Sequence, residues 1–246
     1  MTERITRGDL LKVSARLTLI QSAWTMQSMQ SEGFVYCLIP ALKKLYPDET
    51  KLHRVINHFH LPINTHPFLV SILAGSILKM ESEGQSQRLI VSYLRTAMTA
   101  LAALGDSYFH AVLAFSSMIA VLISLVSSPL LGLMTLLIMF NTVHLMIRFA
   151  GIFIGYRKGD ATISELGKWI DSGKTKVLRM LTGIAGGFVV ALVVVRIGQG
   201  VLPWLWMLPV GVTSVLVAFV LYLKRPLWGY ILPAFLVLVL ISEVLI

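Results

Sequence analysis

The chain has 246 residues, 56% of them hydrophobic and only 13% charged, with a formal net charge of +9. A soluble domain carries about 25% charged residues and could not hide so much apolar surface in one core, so this composition, with a mean hydropathy of +0.79, excludes an ordinary soluble fold and points to an all-α integral membrane protein. The positive charge does not indicate a nucleic-acid partner, because the basic residues sit at the ends of apolar stretches rather than in one patch with interleaved aromatics.

In chain order, residues 1–24 are amphipathic, contain Glu3 and Asp9, and lack the apolar core and small-residue cleavage site of a signal peptide. Residues 6–45 read as helical, with possible caps at Thr6 to Asp9 and apolar residues at helical spacing (Leu10, Leu11, Val13, Leu17, Ile20). Lys12 and Arg16 interrupt the apolar face, so this helix is expected to lie on the membrane surface or against a partner rather than to span. Cys37 is the single cysteine, which excludes a disulfide framework or a cysteine zinc site within the chain. Pro40 and Pro47 bracket a short basic stretch, and a polar helix is expected from Asp48 to His60. Pro62 and Pro67 then enclose Ile63-Asn64-Thr65-His66; two prolines so close break a helix and pin the backbone. The apolar run Phe68–Leu78 is too short for a bilayer core needing about 20 residues, which suggests a re-entrant or half-buried helix.

After polar residues 79–96, the apolar stretch Ala97–Val126 contains Gly105 and Asp106. A carboxylate there is costly in lipid, so a backbone break facing protein or water is expected. Leu130–Tyr156 is long enough to span and places Asn141, His144 and Arg148 on one face, to line a polar path or bond a partner helix. A basic connector, 157–179, precedes apolar runs at about 180–198, 202–223 and 227–246. The expected organisation is an amphipathic and re-entrant region, 1–96, followed by a transmembrane region, 97–246, with about five transmembrane helices in all. The positive-inside rule puts the N-terminus, the connector and the Lys224-Arg225 turn in the cytoplasm and the C-terminus outside.

The polar motifs between these runs carry a resemblance. Gln21-Ser22-Ala23-Trp24, Pro40-Ala41-Leu42-Lys43-Lys44-Leu45-Tyr46-Pro47, Ile63-Asn64-Thr65-His66-Pro67-Phe68, Leu104-Gly105-Asp106, Phe140-Asn141 and Gly155-Tyr156 with Gly159 follow one another in order over nearly the whole chain. Together they resemble the IID membrane subunits of phosphotransferase systems of the mannose/fructose/sorbose type. The resemblance implies a bacterial inner-membrane subunit that pairs with a IIC subunit in a hetero-oligomer, surrounded by lipid, and helps to move a hexose. Soluble IIA and IIB units relay the phosphate, so the chain itself is expected to be neither an enzyme nor the holder of a cofactor. Three departures stand out: Ser107 and His110 replace the family's proline and tryptophan after Gly-Asp, His144 replaces an arginine, and the usual extracytoplasmic insertion is reduced to Gly200-Val201-Leu202-Pro203. They motivate an alternative, a transport-deficient regulatory or scaffold member of the same family.

The candidate sugar contacts are Asn64, Thr65, Asp106, Gln21 and Trp24. An amide both donates and accepts, as sugar hydroxyls require, although Asn64 could equally cap the helix that follows. A carboxylate accepts from paired hydroxyls, although Asp106 could instead fix a turn. Gln21 and Trp24, three apart, would offer an amide beside a stacking ring, or an interfacial anchor. The histidines 53, 58, 60 and 66 match no usual zinc spacing and read as a solvated basic face. Gly183, Gly186 and Gly187 follow no strand, so they read as helix-packing positions rather than a dinucleotide loop.

Overall fold

The computed structural model describes residues 4–171 and 174–197. Eight α-helices are described: α1 Arg7–Leu17, α2 Ser31–Leu45, α3 Glu49–His58, α4 Val70–Ser82, α5 Gln87–Val126, α6 Pro129–Lys158, α7 Thr162–Asp171 and α8 Lys174–Ile197, with 3-10 turns at Ile20–Ala23 and Gly159–Ala161. No strand is present among the described residues; extended backbone pairs only at isolated bridges, Thr25 with Met29 and Met29 with Ile63. The expected spans 202–223 and 227–246 lie outside the described residues.

The chain divides into two compact units, one of residues 1–110 with 138–175, the other of residues 111–137 with 176–246. In the first, α1 begins at a capping box: Thr6 N–H donates to Asp9 Oδ2 at 2.9 Å and Asp9 N–H donates to Thr6 Oγ1 at 3.3 Å. Burial raises the Asp9 carboxyl, but the Thr6 bonds and the Lys44 ammonium at 2.9 Å outweigh it and hold the pKa at about 2. The apolar stripe of α1, Leu10, Val13 and Leu17, packs into a core with Phe34, Leu38 and Leu42 of α2.

The single helix expected over 6–45 is corrected to α1, a 3-10 turn and α2. Small hydroxyls end α1 by competing for the backbone: Thr18 Oγ1 donates to the Ala15 carbonyl at 2.6 Å and Ser22 Oγ to that of Leu19 at 2.7 Å. Met29 then turns the chain with φ 53. Gly33 permits the return, since a methyl there would collide with the Ile20 carbonyl. Pro40 sits inside α2, within the stretch expected to be helical. Its missing N–H leaves the Tyr36 carbonyl open, and Arg16 Nη1 donates to that oxygen at 3.2 Å while its guanidinium lies 4.7 Å over the Tyr36 ring.

α3 matches the expected polar helix, capped by Asp48, whose side chain accepts from Lys51 N–H at 2.9 Å. α4 is buried nearly all round, with Leu73, Ala74, Ile77 and Leu78 at 0% exposure. Protein therefore covers this short apolar run, which is why 13 residues suffice. Its close partner is α6: a methyl on Gly155 would strike the Ile72 carbonyl, and one on Gly75 the Ile152 carbonyl. At the end of α4 the buried Glu81 accepts from Tyr46 Oη at 2.5 Å and from Gln87 Nε2 at 3.1 Å. Burial pushes its pKa up, against the lowering effect of those bonds.

α5 and α6 are both long and apolar enough to cross a membrane. The second unit holds their facing ends, where Gly132 packs against the Ala120 carbonyl and Ser124, together with α8 from Lys176 onward; α8 starts six residues before the expected position 180. Several hydroxyls on the long helices bond back one turn, as Ser117 to Leu113 and Thr135 to Leu131, both 2.8 Å, so these hydroxyl protons need no water. α6 exposes Leu130, Leu131, Leu133, Ile138 and Met146, an apolar surface suited to lipid.

Candidate functional site

The loop Phe59–Leu69 between α3 and α4 is held at several points. Gln30 N–H donates to the Ile63 carbonyl at 2.9 Å. The Gln30 side chain clamps Thr65 from both sides, Nε2 donating to the Thr65 carbonyl at 2.8 Å and Oε1 accepting its N–H at 3.4 Å. Ser31 Oγ donates to the Phe59 carbonyl at 2.9 Å. From α6, Arg148 Nη2 donates to the Pro67 carbonyl at 2.9 Å, Nη1 reaches the Thr18 carbonyl at 3.5 Å, and the guanidinium lies 5.2 Å over the Phe68 ring. Two prolines and these clamps leave the backbone little freedom.

Within that frame the two loop candidates part. Asn64 is exposed at the tip. It does not cap α4, which starts at Val70 with Leu69 as N-cap; the Leu69 and Val70 N–H groups donate to the His66 carbonyl at 3.0 and 3.1 Å. Thr65 points inward at 3% exposure, and its hydroxyl has no partner among the described residues.

The next residue was missed by sequence reasoning, which grouped His66 with the solvated histidines. Its ring is half-buried and stacks on Phe109 of α5 at 4.7 Å and 6°, with Phe68 edge-on at 5.1 Å. Gly105 makes the stack possible, because a methyl there would overlap the imidazole. The available signal was a glycine in a helix opposite a proline-pinned aromatic pair. Burial lowers the His66 pKa; Asp106 raises it, while His110 and Arg148 lower it further.

Asp106 is exposed and within electrostatic reach of His66, but the break expected around it is absent: α5 runs unbroken from Gln87 to Val126. An intact helix satisfies its own backbone groups, and the carboxylate reaches out from the surface instead. His110 Nδ1 donates to the Asp106 carbonyl at 2.6 Å. Gln21 and Trp24 do not share an α-helical face; Gln21 lies in the 3-10 turn, Trp24 follows it in extended conformation, and both are exposed. The bridge from Met29 to Ile63 joins their segment to the loop. The residues expected on one face of α6 bond within this chain: His144 Nε2 donates to Asn141 Oδ1 at 2.9 Å, and the His144 ring stacks on Phe68 at 4.5 Å.

The fold thus brings the segment 20–30, the loop 63–68, and Gly105 to Phe109 together in one unit. Among the described residues no group of three His, Cys, Asp or Glu side chains gathers to hold a metal ion.

Comparison with known proteins gives consistent results. A family model described as "PTS system mannose/fructose/sorbose family IID component" matches residues 4–240. The "PTS system mannose-specific EIID component" of Escherichia coli K12 is 29% identical over 67% of this chain and 60% of its own length. The "Fructose permease IID component" of Bacillus subtilis is 27% identical over 67% and 62%. The chain therefore spans about three-fifths of the length of the curated relatives it matches. A chain from the structure "CryoEM Structure of Mannose Transporter ManYZ and Microcin E492 (MceA) complex" is 26% identical, covers 98% of this chain and 97% of its own, and superposes with a TM-score of 0.61.

Proposed function

From the premise that this chain belongs to the mannose/fructose/sorbose family of phosphotransferase-system IID components, we propose that it works as the IID half of a membrane sugar permease. With a IIC subunit it binds a hexose, or a ketose or hexosamine of similar size, and passes it inward, where IIB phosphorylates it. Relatives named for mannose, sorbose and fructose support that substrate class. The proposed arrangement has about five transmembrane helices in a bacterial cytoplasmic membrane. The N-terminal region, 1–96, and the basic connector, 157–179, lie on the cytoplasmic side, and the C-terminus lies outside. Phosphate stays on the IIA and IIB partners throughout.

The observation that carries this reading is the held loop. Most of its backbone anchors are buried or within the core, yet Asn64 at its tip is left exposed. A preorganised amide loses little entropy when it binds a hydroxyl pair. In the proposed site Asn64 is the central contact, Asp106 accepts from sugar hydroxyls, and Gln21 with Trp24 supplies a second amide and a stacking ring. Thr65 acts through its backbone by keeping Asn64 in place.

The test is uptake of labelled hexoses by cells carrying the chain with its IIA, IIB and IIC partners, beside Asn64→Ala. Accumulation of sugar phosphate that is lost in the variant supports the reading. Assembly and IIB binding without uptake would favour the regulatory alternative, with Ser107 and His110 beside Asp106 as its first suspects.

A further inference from the structure

We propose that His66 is a specificity-determining residue of the sugar site, its Nε2–H donating a hydrogen bond to one substrate hydroxyl; this rests on the transport reading above. The Phe68 N–H donates to His66 Nδ1 at 3.3 Å. That bond occupies the Nδ1 lone pair, so a neutral ring carries its proton on Nε2. Among the described residues Nε2 has no hydrogen-bond partner, and the ring is half-buried rather than enclosed. A fixed N–H is therefore left for a ligand.

The orientation of that N–H is set in advance. Phe109 supports one face of the ring, Phe68 meets its edge, and Gly105 removes the methyl that would push it away. A donor that need not be ordered on binding loses little entropy. Asn64 lies two residues away on the same pinned loop, and Asp106 follows the glycine under the ring. The three groups differ in polarity: a carboxylate only accepts, a neutral imidazole Nε2–H only donates, and an amide does both. Such a set reads the positions and directions of neighbouring hydroxyls, which is how epimeric sugars differ. A site built to bond a hydroxyl also rejects the analogue that lacks it.

The experiment uses the full chain in membranes with its IIC partner and the IIA and IIB phosphocarriers. Initial uptake rates are measured for the transported hexose and for its 2-, 3- and 4-deoxy analogues, in wild type, His66→Phe and His66→Gln. Phenylalanine keeps the stack and removes the donor; glutamine returns an N–H close to the Nε2 position without the ring. His66→Phe should raise KM for the parent sugar about tenfold at unchanged Vmax, the size of one lost hydrogen bond. It should also erase discrimination against one deoxy analogue only, and His66→Gln should restore part of that discrimination. Unchanged KM in a normally assembled His66→Phe complex, or an equal loss for every sugar, would overturn the inference. If His66→Phe fails to assemble, the same deoxy comparison in His66→Gln decides. Wild-type complex that assembles yet moves no sugar would instead bring down the transport reading, and this inference with it.

Discussion

Replacing Gly155 by alanine perturbs the contact that fixes α6, with its His144 and Arg148, against α4. A methyl at Gly155 meets three backbone atoms, the Ile72 carbonyl oxygen and carbon and the Ser76 nitrogen at 2.8 Å. Backbone atoms cannot rotate away as a side-chain end can, so the helices part by about 1 Å. A gap of that size forfeits roughly a quarter to a half of the dispersion energy along the contact. Overpacking of this kind costs about 1–3 kcal/mol, against a gain of at most about 1 kcal/mol from replacing a helical glycine by alanine. Gly167 in α7 isolates the second term, because a methyl there meets nothing within 4 Å. At about 2–4 °C per kcal/mol for a chain of this size, Gly155→Ala should lower the unfolding midpoint of the detergent-purified protein by several degrees, and Gly167→Ala should raise it slightly. Equal midpoints for the two variants, or a higher one for Gly155→Ala, would refute the packing argument.

Gln30→Met removes both bonds to Thr65 and leaves a buried carbonyl unsatisfied, so it should cost about 2 kcal/mol and raise KM for the sugar; a melting curve alongside uptake kinetics checks both. Glu81 gives a pH prediction. Its folded pKa is raised above the unfolded 4.5, so the fold favours the protonated form, and its contribution, complete below pH 4.5, is lost as pH rises toward the folded value. Glu81→Gln should flatten the fall in unfolding midpoint above pH 4.5, and a slope identical to wild type would contradict it. Glu81→Ala should be the worse substitution, since it strips the acceptor from Tyr46 and Gln87, at about 1–3 kcal/mol.

Prolines made the loop readable in advance: Pro62 and Pro67 marked a short non-helical segment around Asn64, and Asp48 signalled the start of α3 through its side chain. The break between α1 and α2 was not readable, because hydrophobic spacing continues through Ile20 while the turn depends on Thr18, Ser22 and the left-handed Met29. Pro40 lies inside α2, within the stretch expected to be helical, and Arg16, 24 positions earlier, donates to the carbonyl that the proline frees. Gly105 next to Asp106 resembled a turn. The glycine instead makes room for a ring that is distant in sequence, and no local pattern records that. The same long-range contact explains why His66 passed for one of several surface histidines.

The most direct test of the account is uptake of a labelled hexose panel by cells expressing the chain with its IIA, IIB and IIC partners, wild type against Asn64→Ala at matched membrane levels. The account predicts that wild type accumulates sugar phosphate and that Asn64→Ala loses at least about tenfold in KM or rate, since a substituted amide forfeits both a donor and an acceptor. Uptake by Asn64→Ala equal to wild type would contradict the placement of the site on this loop.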